Sequence, residues 1–319
     1  LLIDAASDRA WCHEPEDAAL EKLFAADAVA SAPLEPEQFL ERLRSVPSLR
    51  RSMDASAQQL QRWAQALAAR GDERSLAAAE FLQERREALA VRASRSQDPF
   101  VLALALRRCG LTGPGSCQAL SPLRWAALEP GNLQPWLLQT QGPDAKAQPQ
   151  ALAEALHQIA QSSQARSYQR DFMALLLSLP RSERPGFSMA VQTGLLVQLQ
   201  ASWLAVSIQP LLAWCERAPL DANLAQTCAS AAERLWLGAD NLLDASLAIA
   251  LAKRLGPDRS PWPERRRQLE ALRAAQIQGS SASTTGSNVC TGMGEQQVAL
   301  VSMLRQGELS ALRAVMRRP

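Results

Sequence analysis

The sequence predicts an all-α protein, an array of antiparallel helical hairpins with essentially no β-sheet. Leu, Ala, Gln, Glu and Arg, all strong helix formers, dominate it, and β-branched runs are almost absent. Nowhere do apolar and polar residues alternate convincingly over a strand's length, whereas apolar residues recur at helical spacing in segment after segment. Pro, Gly and Asn punctuate the chain at intervals that start and stop helices of ordinary length.

Residues 1–97 read as N-terminal helical hairpins. After an irregular lead-in, Pro15 opens a helix at a first-turn position, with acids following it. Pro33 breaks that helix, Pro36 opens the next, and Pro47 closes it. A longer helix is expected over about 52–70, with Leu60, Trp63 and Leu67 on one face. Gly71 ends it as a C′ glycine and Asp72 caps the next, expected over 73–93 and antiparallel to the first.

Residues 98–278 read as a helical-repeat core. Asp98-Pro99 starts FVLALALRRC, so nearly continuously apolar that it belongs in the interior. Ser116 or Ser121 caps a helix running to Leu128, and Asn132 or Leu133 begins another ending near Gly142-Pro143. Leu152, Leu156 and Ile159 make 148–163 amphipathic, and Tyr168–Leu179 is a further apolar helix stopped by Pro180. Helices over 187–207, 209–217, 221–237, 241–255 and 262–278 follow. The Gly/Ser/Thr-rich stretch 279–294 reads as a linker, and 295–319 as short C-terminal helices.

One pattern returns about 110 residues later. With Cys117 placed over Cys228, Trp125 falls over Trp236, and after a two-residue adjustment Asn132-Leu133 falls over Asn241-Leu242. Upstream of each copy an apolar helix ends in a cysteine, Cys109 or Cys215. Such helix-turn-helix units cannot bury their apolar faces alone and stack on neighbours. The run RWAALEPGNLQPWLL resembles the junction of tetratricopeptide-type repeats, where a helix ends, a Pro/Gly/Asn turn follows and a Trp opens the next helix. The resemblance implies a right-handed, irregular α-solenoid that presents a partner-binding surface rather than chemistry.

The six cysteines are an even count, and four of them flank hairpin turns: Cys109 with Cys117, and Cys215 with Cys228. Helices joined by such turns bring their ends to within the roughly 5–6 Å between Cα atoms that a disulfide needs. The competing expectation is inert buried thiols. Recurrence in the same place favours disulfides, and Cys12 and Cys290 would then pair by elimination. Each local bridge would add about 2–3 kcal/mol by restricting the unfolded chain. Bridges imply an oxidising compartment, most simply a bacterial periplasm or the exterior. The chain starts at Leu1, as removal of a signal peptide would leave it, and so would trimming.

Chemistry has no visible constellation. Cys-x-x-Cys is absent and only His13 and His157 exist to complete a zinc site, so neither metal nor cofactor is expected. Glu154-Ala-Leu-His157 has the spacing of a di-iron half-site, but His13 supplies no second copy, which leaves a surface or groove-lining histidine. Gly-x-Ser-x-Gly, His-Glu-x-x-His and a phosphate loop are all missing. Acids such as Glu35 and Glu37 read as first-turn partners of helix N-termini. A glycosidase escapes this search, because its two carboxylates need no motif. The charge is +2 and dispersed, with small clusters only at Arg265–Arg267 and Arg317-Arg318, which argues against a nucleic-acid partner. No apolar run reaches the roughly 18 residues of a membrane span.

The eight tryptophans stand against one tyrosine, Tyr168. Trp125, Trp136, Trp214 and Trp236 lie near helix ends, where an indole fills the gap between hairpins and its N–H reaches a free carbonyl. Trp262, between Pro261 and Pro263, is the best exposed contact residue, and with Trp136 and Arg265 forms the candidate partner-binding set. The expectation is a non-catalytic protein-binding module of the bacterial cell envelope, an adaptor or an immunity protein neutralising a secreted toxin or effector. The alternative is an enzyme with a motif-free site, an all-α glycan lyase or hydrolase.

Overall fold

Helix follows helix along the chain, and many of the starts are capped by the side chain that precedes them. The structure, a computed structural model, describes residues 47–142, 148–182, 186–203, 208–217, 221–256, 260–281 and 293–316. Among them are fifteen α-helices, one short 3-10 helix at Gly115–Ala119 and no strand. The protein is all-helical. The helices expected before Pro47, and Cys12 and Cys290, lie outside the described residues.

The first four helices are α1 (Pro47–Ala68), α2 (Glu73–Leu82), α3 (Arg86–Arg95) and α4 (Pro99–Cys109). Pro47 opens α1 instead of closing the segment before it, since a first-turn proline forfeits no helical bond. Gly71 takes φ 73° after α1, and Asp72 caps α2 by accepting from the Ser75 N–H at 3.0 Å. The single helix expected over 73–93 is split at Glu84, which adopts φ 58°. The residues there, Gln83-Glu84-Arg85, are good helix formers, so propensity gives no warning. Tertiary packing overrides it: the break turns α3 onto α4, and the Glu84 carboxylate pairs with Arg108 of α4.

Asp98 caps α4 through the Phe100 N–H at 3.0 Å and is itself held by two of the three Arg74 guanidinium nitrogens, Nε at 2.5 Å and Nη2 at 3.0 Å. Residues 100–106 of α4 are all buried, as their unbroken apolar character requires. They lie against α2, α3 and α5 (Pro122–Leu128). Ser121 caps α5, and Asn132 caps α6 (Leu133–Gln139).

The remaining helices are α7 (Pro149–Gln161), α8 (Gln169–Leu177), α9 (Phe187–Ser202), α10 (Gln209–Cys215), α11 (Ala222–Leu237), α12 (Leu242–Lys253), α13 (Trp262–Ser281), α14 (Met293–Gln306) and α15 (Glu308–Met316). α13 runs through Gly279, three residues into the stretch read as a linker.

Two large cores result. One joins α1–α5 with α8, α9 and α14 around Phe81, Phe100, Phe172 and Trp203. The other joins α6, α7, α10, α11 and α12 around Leu156, Ile159, Leu211 and the Cys215–Cys228 bridge. Units of a plain solenoid touch only their sequence neighbours. Here α9 packs back on α1, and α14 packs on both α8 and α9. Apolar faces on α8 and α9 find their cover across the chain as well as beside it.

Candidate binding cleft

The two cores meet along the segment joining α7 to α8, and a large cleft opens there. Ser163 and Gln164 donate their N–H groups to the Gly131 carbonyl at 3.0 and 3.1 Å, and the Leu133 N–H donates to the Gln164 carbonyl at 3.0 Å. This forms one isolated parallel bridge between Asn132 and Gln164. Asn132, wholly buried, does the rest. Its Oδ1 accepts from the Arg166 N–H at 3.0 Å and the Gln134 N–H at 3.1 Å, and its Nδ2 donates to the Arg166 carbonyl at 2.9 Å.

Glu129 ties this bracket to the larger core. Its Oε2 accepts from Trp125 Nε1 at 2.7 Å and Asn132 Nδ2 at 3.1 Å, and its Oε1 accepts from the Tyr168 hydroxyl at 2.6 Å. Tyr168 sits at φ 65°, a conformation that costs a non-glycine residue about 1 kcal/mol or more. The hydroxyl bond and edge-on packing against Phe100 hold it there. Burial, and then the Glu129 carboxylate, push its phenol above the ordinary range, so it keeps its proton and donates. Gly238 lets α11 end against this segment, because a Cβ there would overlap the Cβ of Ala165.

What the bracket presents is charge. The cleft encloses about 710 Å³ and is lined by Arg166, Arg170, Arg234 and Arg305 together with Asp171 and Asp240. Arg166 lies over the Tyr168 ring at 4.6 Å and binds Asp171 at 2.6 Å, and Arg170 binds Asp240 at 3.2 Å. Arg234 and Arg305, both exposed, have no carboxylate within ion-pair distance among the described residues. Four guanidinium groups against two carboxylates leave the lining with an excess of two positive charges. Burial raises the Asp240 carboxyl above its ordinary range, with Arg170 opposing the shift.

Behind the cleft a pocket of about 30 Å³, room for a single water, is lined by Arg107 and Asp244. Arg107 donates to the Trp203 carbonyl at 2.8 Å and stacks over that indole at 4.6 Å, and burial lowers its pKa to about 10. Burial pushes Asp244 up to about 6, against the pull of the Asn241 side-chain amide at 2.8 Å.

The residues singled out in the sequence fall elsewhere. Cys109–Cys117 and Cys215–Cys228 are disulfides, with Cα separations of 5.5 and 6.0 Å. Trp262 is not an exposed contact: it is only 6% accessible, edge-on to Trp236 at 6.5 Å. Its position at the first residue of α13 turns the indole into the second core and leaves Pro261 outside. Arg265 covers both rings, at 4.6 Å from Trp262 and 5.4 Å from Trp236, and pairs bidentately with Glu233. Trp136 is half-buried against the same core, and its indole N–H finds no partner among the described residues. Trp262 thus lies within the second core, Trp136 against it and Arg265 over the Trp236 and Trp262 rings. His157 is exposed on α7. Among the described residues no group of three or more His, Cys, Asp or Glu is placed to hold a metal ion, and no helix is long and apolar enough to cross a membrane.

The arginine cleft was missed because its lining comes from α8, α11, α14 and the α7–α8 segment, far apart in sequence. The only local signal is the run Arg166-Ser-Tyr-Gln-Arg170-Asp171, which crowds two cations and an acid around the single tyrosine. Compared with protein-family models, curated proteins and solved structures, the chain matches none of them.

Proposed function

We propose that the protein is a non-catalytic protein-binding module of the bacterial cell envelope, an adaptor or an immunity protein that neutralises a secreted toxin or effector. The carrying observation is the open arginine-lined cleft, whose two carboxylates are already engaged by Arg166 and Arg170 while Arg234 and Arg305 have no ion-pair partner among the described residues. Surplus charge on a rim steers a complementary partner and fixes its register. The two disulfides support an oxidising compartment, the periplasm or the exterior. In this reading the hairpins form an irregular, right-handed, tetratricopeptide-like array with the cleft as its recognition surface.

The test is affinity capture from an envelope extract with the oxidised chain, followed by measurement of the purified pair. A protein retained in defined stoichiometry, and released by high salt, is the expected result. Retention of nothing across growth conditions overturns the reading.

A second reading, an all-α glycan lyase or hydrolase, is favoured by one observation. Asp240, its carboxyl raised by burial, lines the same cleft as Asp171, and a raised acid sharing a cleft with a second carboxylate is the equipment of glycoside cleavage. New reducing ends or unsaturated products from envelope glycans, lost in Asp240→Asn, would establish it.

A further inference from the structure

The arginine cleft does not end at Arg305. That side chain also lines a second groove of about 600 Å³, whose walls are Leu179, Pro180 and Arg181 on one side and Val298, Val301 and Ser302 of α14 on the other. Val298 is 71% exposed, the most exposed large apolar side chain among the described residues. Among the described residues no carboxylate lines this groove, and none pairs with Arg181, Arg234 or Arg305. A polar cavity with surplus positive charge thus runs into a mostly apolar one, with a single arginine at their junction.

We infer that the two grooves take one extended polypeptide segment of the partner, acidic over the cleft and apolar over Val298 and Val301. This rests on the binding-module reading and names the chemistry of its ligand. Charge complementarity argues for the acidic end: Arg234 and Arg305, without ion-pair partners among the described residues, supply two cationic donors, and guanidinium groups grip carboxylates through paired N–H bonds. The apolar groove argues against a uniform polyanion. A nucleic acid gains from stacking on exposed rings, whereas the one ring in the cleft, Tyr168, is buried beneath Arg166. An anionic glycan would leave Val298 and Val301 in water. A peptide offers carboxylates and apolar side chains within a few residues of each other, which fits the change in character on passing Arg305.

The experiment measures fluorescence anisotropy of the full oxidised chain with a dye-labelled peptide that carries glutamates at one end and leucines at the other. Comparison peptides replace the glutamates by glutamine or the leucines by serine, and single-stranded DNA and a sulfated polysaccharide serve as polyanions. The expected result is saturable, salt-sensitive binding of the first probe, weakened on the order of tenfold by Arg234→Glu with Arg305→Glu. Val298→Asp should weaken the leucine-bearing probe while leaving its serine counterpart nearly unchanged. These side chains are exposed, and unchanged thermal unfolding of the variants confirms that the fold is intact. Failure of the first probe to bind, indifference to the arginine reversals, or tighter binding of DNA or polysaccharide overturns the inference. A captured envelope protein that still binds the double arginine variant at full strength sinks this inference alone and leaves the binding-module reading standing. Glycan cleavage without a protein partner sinks that reading itself.

Discussion

The two cysteine-bracketed hairpins share one sequence pattern yet do different work. In the first, Cys109 ends α4 and Cys117 sits in the 3-10 turn that follows, eight residues on. The bridge forms a small separate cluster with Ala90, at the rim of the larger core. In the second, Cys215 ends α10, Cys228 lies midway along α11, and both are fully buried inside the second core. The junctions downstream differ in the same sense. After Trp125, a half-buried carboxylate and a buried amide, Glu129 and Asn132, pin the cleft segment. After Trp236, which is only half-buried, Arg265 lies over the Trp236 and Trp262 rings, and Asn241 and Glu308 both accept from N–H groups in the first turn of α12. A shared local pattern fixes where a turn is stapled, and the surrounding packing decides whether the staple carries a core or only a rim.

The largest expected contrast is in the bridges themselves. Loop lengths of 8 and 13 residues give nearly equal chain-entropy contributions, about 2.5–3 kcal/mol each. Burial separates them. Replacing Cys215 and Cys228 by Ala should cost about 3–5 kcal/mol in chemical denaturation, against about 2–3 kcal/mol for Cys109 and Cys117. Equal losses would mean that the core around α10 and α11 closes over the missing sulfurs.

The asparagines sharpen the contrast. Asn132→Ala strips partners from the Arg166 backbone and from Glu129, so a loss of about 2–4 kcal/mol is expected, together with impaired binding in the cleft. Asn241→Ala removes a helix cap and the amide bond to Asp244, while Glu308 still accepts from the Leu242 N–H, so a smaller loss of about 1–2 kcal/mol is expected. Denaturation midpoints of the two variants measured side by side decide this, and similar values would dissolve the distinction between the junctions.

A smaller effect separates two acids near the second junction by sign. Asp244, raised to about 6 in the folded chain, binds its proton more tightly there than when unfolded. Its contribution to stability is fully present below about 4 and is lost as pH rises through about 6. Glu233 is held below the ordinary carboxylate range by its Arg265 hydrogen bonds. Its contribution is present above the unfolded value and is lost as pH falls through the folded one. Denaturation across acid pH should therefore show Asp244→Asn gaining roughly 1–2 kcal/mol relative to the parent as pH rises past about 6. Glu233→Gln should instead lose the acid-side decline. A parent whose stability is insensitive to Asp244→Asn over that range would contradict the burial of this carboxyl.

The smallest effect is kinetic. Cys109 and Cys117 retain 8% and 5% accessibility, while Cys215 and Cys228 retain none. Thiol–disulfide exchange needs access to a sulfur. Under native conditions a mild reductant should open the first bridge before the second, read as the order in which alkylated peptides appear. The reverse order would place the more mobile hairpin at α10–α11.

Much of the fold could be read in the residues. Gly71-Asp72, Asp98-Pro99, Ser121, Asn132 and Asn241 stop or cap helices as their chemistry requires. The apolar run from Phe100 to Leu106 is interior, and the two local bridges join the cysteines that the recurring pattern pairs. The break at Glu84 and the return of α9 and α14 to distant helices could not be read, because no local preference encodes them. Trp262 misled for the same reason: its prolines mark a turn, while the direction of its indole depends on which core lies beneath.

The sequence by itself determined the helical class, the capped ends and the positions of the two described covalent staples, all of which depend on contacts between residues close along the chain. Only the tertiary structure decided that one staple lies inside a core and the other at a rim, that Trp262 and Arg265 pack inward, and that Arg166, Arg170, Arg234 and Arg305 surround one cleft. The physical reason is separation: caps and turns act within a few residues, whereas burial and charge crowding depend on helices brought together from more than a hundred residues apart.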